Sequence, residues 1–215
     1  KLEEYLDYQA RLAERSGVDI RLNTAVTPEL VREISPDAVI AALGARPSIP
    51  PIPGIDGKNV VEVTDCYREP EKAGERVVIL GGGLSGTELS IYLNKYLGRA
   101  VTLVEMAPAL GNGDNRIHGM AIATELKSST IDVHVGTRCV SIEGDGVWCE
   151  KDGERIFFPA DTVVAALGLA PLSAEAAELS RCAPEFYMIG DCNTPRNILF
   201  STNEAWHVAM DIGRV

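Results

Sequence analysis

The 215-residue chain lacks most of the features by which a sequence declares a membrane, secreted or nucleic-acid-binding protein. No apolar stretch reaches the roughly 20 residues needed to cross a bilayer. The opening Lys1-Leu2-Glu3-Glu4 is charged where a signal peptide would be apolar. A cytoplasmic location without membrane contact is therefore the expectation. Basic residues are scarce: 20 Lys and Arg stand against 31 Asp and Glu, a formal net charge of -11. Binding a phosphate backbone depends on neutralising it with cations, so this balance argues against nucleic acid as a partner. His118, His134 and His207 show no metal-ligand spacing, and no metal site is expected. The cysteines, Cys66, Cys139, Cys149, Cys182 and Cys192, are odd in number and scattered, with no Cys-x-x-Cys. They frame neither a secreted disulfide scaffold nor the thiol pair of a disulfide reductase. All five read as ordinary buried or half-buried thiols, Cys192 being left open because of its neighbours.

What is present is a chain 46% hydrophobic with mean hydropathy +0.03, enough to bury a sizeable core in one large or two small domains. Its most specific signal lies between Arg76 and Glu105. The apolar run Val77-Val78-Ile79-Leu80 breaks into Gly81-Gly82-Gly83-Leu84-Ser85-Gly86, then into a helix-like stretch, and a second run, Val101-Thr102-Leu103-Val104, ends on Glu105. Strand, glycine turn, crossover helix and parallel strand, with an acid about twenty residues beyond the turn, make the dinucleotide-binding fingerprint in its proper context. Gly81 permits a tight turn, Gly83 lets backbone approach a pyrophosphate, and Gly86 allows helix to pack closely on strand. Unpaired amides at the helix start would face the phosphates. Glu105 can accept hydrogen bonds from ribose hydroxyls and would repel a 2′-phosphate. Met106, Ala107 and Pro108 follow it without an adjacent Arg, so NAD(H) is expected over NADP(H).

Around this unit the pattern is α/β. Leu2, Tyr5, Leu6, Gln9, Leu12 and Ala13 recur at helical spacing up to Ser16-Gly17, and Val18 to Leu22 alternates as a strand would. Thr27-Pro28 opens a short helix through Ile34. The proline-rich Arg46 to Gly54 predicts a stiff connector between lobes that cannot join a central sheet. A helix is expected from Asn115 to Lys127, followed by a strand at Ile131 to Val135. From Cys139 the period becomes two: runs at 139–143, 147–150 and 155–158 are divided by Gly144-Asp145-Gly146 and Lys151-Asp152-Gly153, the signature of a three-stranded meander. Asp37-Ala38-Val39-Ile40-Ala41-Ala42-Leu43-Gly44 and Asp161-Thr162-Val163-Val164-Ala165-Ala166-Leu167-Gly168 share one pattern 124 positions apart, suggesting two related lobes. Glu185 to Ile189 is an apolar strand ending in Gly190-Asp191, at the sheet edge where open α/β folds bind ligands, with a helix expected from about Thr202 to Ile212.

These pieces in this order resemble the FAD/NAD-linked pyridine nucleotide oxidoreductases. The match runs through Ala41 to Pro47, Ile52-Pro53-Gly54, Gly81 to Glu88, Glu105, residues 166–168 and Tyr187 to Asp191. Val39 to Pro53 and Gly190 to Ile198 look most like the C-terminal portion of the NADH:flavin oxidoreductase and 2,4-dienoyl-CoA reductase family. The resemblance implies a Rossmann-like FAD/NAD(P)-binding fold, with a parallel sheet flanked by helices, an antiparallel meander and a truncated FAD lobe. It implies a FAD lobe from residues 1–68 and 181–215 and an inserted NAD-binding domain from residues 69–180. It further implies that Asp191 meets a ribitol hydroxyl of FAD and that backbone near Ser201 and Thr202 faces the flavin. The strand-ending Gly44, Gly168 and Gly190 would line cofactor clefts. Glu88 sits where related proteins place an acid near the nicotinamide, and equally where a plain helix-surface carboxylate would be. Leu43 and Leu167 stand where many relatives have Thr.

No Gly-x-Gly-x-x-Gly precedes residue 37, so the expectation is a fragment of a longer NADH-dependent flavin oxidoreductase. FAD then belongs to the parent protein, with FMN and an iron–sulfur cluster in the missing portion. Hydride would pass from NADH to FAD and onward to an enoate- or dienoyl-type reductase centre, and the fragment alone would not turn over. No acid–base or nucleophilic catalytic residue is singled out, since the cofactors carry the chemistry. The rival reading is a non-catalytic interaction module that dimerises or exchanges segments through its incomplete lobe.

Overall fold

The structure is a computed structural model describing residues 2–111 and 115–214. Lys1, on which the sequence opens, and the side chain of Leu2, first in the helical stripe, lie outside that description. The chain divides into two compact units, residues 1–44 with 172–215 and residues 45–171.

The first unit opens with α1 (Leu2–Arg15), α2 (Pro28–Ile34) and strand β1 (Ala38–Ala41). Thr27 caps α2, its hydroxyl accepting from the Leu30 amide at 3.3 Å, and Pro28 occupies the first turn where no amide partner is needed. The strand anticipated at Val18 to Leu22 does not form. Its apolar members Val18, Ile20 and Leu22 are exposed and no neighbouring strand receives them; alternation alone does not make a strand without a partner.

The second unit begins at β2 (Ala45–Pro47), followed by β3 (Val60–Glu62), α3 (Val63–Arg68) and β4 (Arg76–Leu80). Then come α4 (Leu84–Lys95), β5 (Ala100–Val104), α5 (Arg116–Lys127) and β6 (Asp132–His134). The meander follows as β7 (Arg138–Glu143), β8 (Gly146–Lys151) and β9 (Glu154–Pro159), and the unit closes with β10 (Thr162–Ala165) and β11 (Leu169–Pro171). A parallel sheet runs in the order β3-β10-β4-β5-β6. The meander forms a sheet of its own, β7-β8-β9, entirely antiparallel.

Side chains alternate across a strand, so β4 serves two cores. Val77 and Ile79 pack with Leu89 and Leu93 of α4. Val78 and Leu80 pack with Ile142, Val147 and Phe158 of the meander. Burial on both faces is why this strand reads as an unbroken apolar run.

The proline connector joins this second unit. Ala45–Pro47 pairs antiparallel with Leu169–Pro171 as a separate ribbon, and the Pro53 carbonyl accepts the Ile142 amide at 2.8 Å. Because β3 hydrogen-bonds along β10, residues 60–68 belong here too. The division therefore falls at Gly44 and Pro171, whereas the sequence reading placed it near 68 and 180.

The chain returns to the first unit with α6 (Ser173–Ala177), β12 (Glu185–Met188) and α7 (Ile198–Asp211). The strand β12 lies parallel to β1, over cores holding Val31, Leu179, Ala176 and Cys192. The last helix starts at Ile198, four residues before the expected Thr202. Asn197 caps it, accepting from the Phe200 amide at 3.3 Å, and the Ser201 amide is already bonded to the Asn197 carbonyl.

Candidate functional site

The chain leaves β4 for α4, β5 and β6 on one side, then returns on the other side as β10. The carboxyl end of β4 is thus the topological switch point at which open α/β sheets form a crevice. Residues 81–86 sit there. Gly81 adopts φ +109, and a Cβ on it would lie 2.1 Å from the Ala166 carbonyl oxygen, so only glycine lets β4 end this close to β10. A Cβ on Gly86 would lie 2.0 Å from the Gly81 oxygen, so α4 could not pack on its own loop.

Gly83 differs. It precedes α4 in extended backbone, and its missing Cβ would meet nothing within 4 Å. The first bond of α4 runs from the Thr87 amide to the Gly83 carbonyl at 3.0 Å. The amides before it, on Leu84 and Ser85, belong to exposed residues and need partners from outside the helix. An anion is the partner such a terminus favours.

Glu105 turns toward this loop. One carboxylate oxygen accepts the Gly82 amide and the other the Ala107 amide, both at 2.6 Å. These bonds fix the carboxylate and use about two of its roughly four acceptor positions, leaving the remainder for a hydroxyl-bearing ligand. Gly81, Gly83, Glu105 and Gly168 share a cleft of about 450 Å³ with Arg138 and Cys139. Nothing in the sequence singles out Arg138, and Cys139 reads there as an ordinary thiol. The Arg138 guanidinium reaches Glu150 across the meander at 3.1 Å.

The other candidates fall into two places. Gly44, Gly190, Asp191, Ser201 and Thr202 line a cleft of about 380 Å³ in the first unit, at the carboxyl ends of β1 and β12. Asp191 accepts the Arg196 amide at 3.1 Å, and the Gly190 amide donates to Glu204 at 2.7 Å. Glu204, which shapes the Gly190 turn, was not foreseen. Cys192 is fully buried, its thiol donating to the Ala41 and Ile189 carbonyls at 3.2 Å each, which makes it a core residue.

Glu88 stands apart from the glycine cleft. It lines a groove of about 540 Å³ with Tyr67 and His118, and its carboxylate meets the His118 ring nitrogen at 2.7 Å. Burial, followed by the charge of Glu88, pushes the Tyr67 hydroxyl up to about 12, so it stays a donor, to the Ser85 carbonyl at 2.9 Å.

A parallel sheet with a glycine-lined switch point and a carboxylate on the neighbouring strand defines a dinucleotide-binding α/β protein. Comparison of the whole sequence carries this further. Residues 7–213 match the pyridine nucleotide-disulphide oxidoreductase family, and the chain belongs to it.

Among curated relatives, a cinnamate reductase of Clostridium sporogenes is 32% identical over 200 residues, covering 91% of this chain and 30% of the relative. An NADH oxidase of Thermoanaerobacter brockii is 28% identical over 218 residues, covering 99% of this chain and 33% of the relative. A solved 2-naphthoyl-CoA reductase in complex with 2-naphthoyl-CoA superposes with TM-score 0.85 at 27% identity, covering 98% of this chain and 32% of that one. The chain thus spans about a third of the length of these relatives.

The family implies FAD and NAD(P)H, and the residues present can be tested against each. The open space at Gly83 and the fixed carboxylate of Glu105 fit a dinucleotide's diphosphate and ribose. The cleft at Gly190 and Asp191 offers a hydroxyl-bearing ligand one carboxylate, of which one oxygen already accepts the Arg196 amide. Among the described residues of that unit, no strand–turn–helix carries the Gly-x-Gly-x-x-Gly spacing of a second diphosphate cradle.

Proposed function

We propose that the chain is the nicotinamide-binding part of a flavin oxidoreductase, in which NADH supplies a hydride that FAD accepts for onward transfer to an enoate- or dienoyl-type reductase centre. Relatives named for the reduction of cinnamate and of 2-naphthoyl-CoA support that destination. In this reading the unit of residues 45–171 holds NADH and the unit of residues 1–44 and 172–215 holds part of FAD. The residues here bind and orient. Backbone amides at Leu84 and Ser85 hold the diphosphate, Glu105 holds the adenosine ribose, and Asp191 holds a ribityl hydroxyl. Glu105 also selects, since a 2′-phosphate would be repelled by its carboxylate while the Arg138 guanidinium that lines the cleft is engaged by Glu150.

The observation that carries this reading is the empty volume in front of Gly83 at the start of α4, faced by a carboxylate already locked in place. Fluorescence titration with NADH tests it. Loss of charge-assisted hydrogen bonds in Glu105→Ala should weaken binding by about tenfold, from about 1.5 kcal/mol. Gly83→Val should abolish binding without unfolding, because the Gly83 backbone is extended and its Cβ direction is open. NADPH should bind more weakly than NADH. Unchanged affinity in both variants would refute the site. Holding only part of FAD, the chain alone should not turn NADH over.

A further inference from the structure

The meander places two cysteines face to face. In the β7–β8 hairpin Glu143 opposes Gly146, Ile142 opposes Val147 and Ser141 opposes Trp148. Continued without interruption, that register would set Val140 across from Cys149. A bulge intervenes: Val140 is the extra residue, and Cys139 stands opposite Cys149. Directly opposed residues on antiparallel strands have Cα atoms about 4.5 to 5.5 Å apart, within the roughly 4.4 to 6.8 Å that a disulfide spans. Both residues are free thiols, and the Cys139 thiol donates to the Ser141 carbonyl at 3.9 Å. Their access differs. Cys139 is half-buried and lines the glycine cleft, whereas Cys149 is wholly buried behind it among Val147, Ile142 and Phe158.

We propose that Cys139 and Cys149 form a thiol–disulfide redox site on the wall of the dinucleotide cleft, oxidised by small disulfides of the glutathione type. The Cys139 thiolate attacks the disulfide, forming a bond to one sulfur and releasing the other half as a thiolate. The Cys149 sulfur then attacks Cys139 Sγ, breaking the bond to the bound half, which departs with the Cys149 proton. Two protein thiols are oxidised to one disulfide, and one small disulfide is reduced to two thiols.

The order of attack follows from surroundings. Cys139 is held below the usual thiol range, chiefly by the Cys149 thiol across the strand and also by the Arg138 charge. The facing Cys139 and then burial push Cys149 up. The other cysteines have different neighbours: Cys182 donates to the Pro28 and Glu178 carbonyls and Cys192 to those of Ala41 and Ile189, while Cys66 is buried beside Ala73 and Val77.

The test is to incubate the 215-residue chain with oxidised glutathione, quench with acid, denature, alkylate and map peptides by mass. The chain should lose two of its five thiols and yield one linkage, Cys139 to Cys149. Cys149→Ala should stop at a glutathione adduct on Cys139, and Cys139→Ser should leave every remaining thiol free. Retention of all five thiols in the wild-type chain, a linkage through Cys66, Cys182 or Cys192, or no adduct on Cys139 in Cys149→Ala would overturn the proposal. The wild-type map does not depend on the folding of either variant. Because mass is the readout, this result stands or falls separately from NADH binding.

Discussion

Gly86 shows how much a single missing methyl can hold. Its Cβ position lies 2.0 Å from the backbone oxygen of Gly81 and 3.0 Å from the Ala166 Cβ, and a backbone oxygen cannot swing aside as a flexible side chain would. Gly86→Ala should therefore cost about 1 to 3 kcal/mol by overpacking, read from urea midpoints. Asp161 is legible in another way. It accepts the Arg76 amide at 2.9 Å and the Arg76 guanidinium at 2.5 Å, and these bonds hold its carboxyl below the usual range. A carboxyl depressed in the native state adds stability above its unfolded pKa of about 3.9 and loses it as pH falls through the lower native value. Urea midpoints of wild type and Asp161→Asn should differ near neutral pH and converge in acid. Glu105 could be picked out from its spacing. Arg138 and Cys139 could not, because no local pattern ties them to a glycine loop more than fifty positions earlier.

At the scale of the element, short-range chemistry was the reliable guide. Thr27-Pro28 starts α2, and Asn115 starts α5, accepting the Ile117 and His118 amides at 3.0 and 3.1 Å. Asn115→Ala should lower stability by about 1 kcal/mol, measured by chemical denaturation, since two first-turn amides lose their acceptor. The turn residues Asp152, at φ +53, and Gly153, at φ +84, form the hairpin bend that Asp-Gly announces. Val18 to Leu22 failed because a strand is completed by its neighbour, and alternation carries no information about whether a neighbour exists. The start of α7 was misplaced because Ile198, Leu199 and Phe200 supply no polar signal of their own, while the capping Asn197 sits behind Pro195.

For the whole molecule, the two units differ in how well they cover themselves. Residues 45–171 enclose both faces of a five-stranded sheet. The first unit has a two-stranded sheet and leaves Leu199 and Trp206 about two-thirds exposed. Apolar surface of this kind favours association. We expect concentration-dependent self-association by light scattering, reduced in Trp206→Glu; a monomer throughout the accessible concentration range would argue against a dimer or segment exchange. The second unit, excised as residues 45–171, should keep a cooperative thermal transition by circular dichroism, because its core clusters draw on no residue outside it.

The glycine turn and the acid at the strand end were determined by the sequence alone, because each rests on spacing within one strand–helix–strand unit, where covalent connectivity dictates who meets whom. Tertiary structure decided what shares the cleft with them. Whether Cys139 faces Cys149 or Glu150 hangs on one extra residue at Val140, and that bulge is settled by pairing and packing across two strands and the sheet beneath them. Register is a non-local quantity: a shift of one position turns a side chain to the opposite face, and no stretch of sequence read by itself carries that sign.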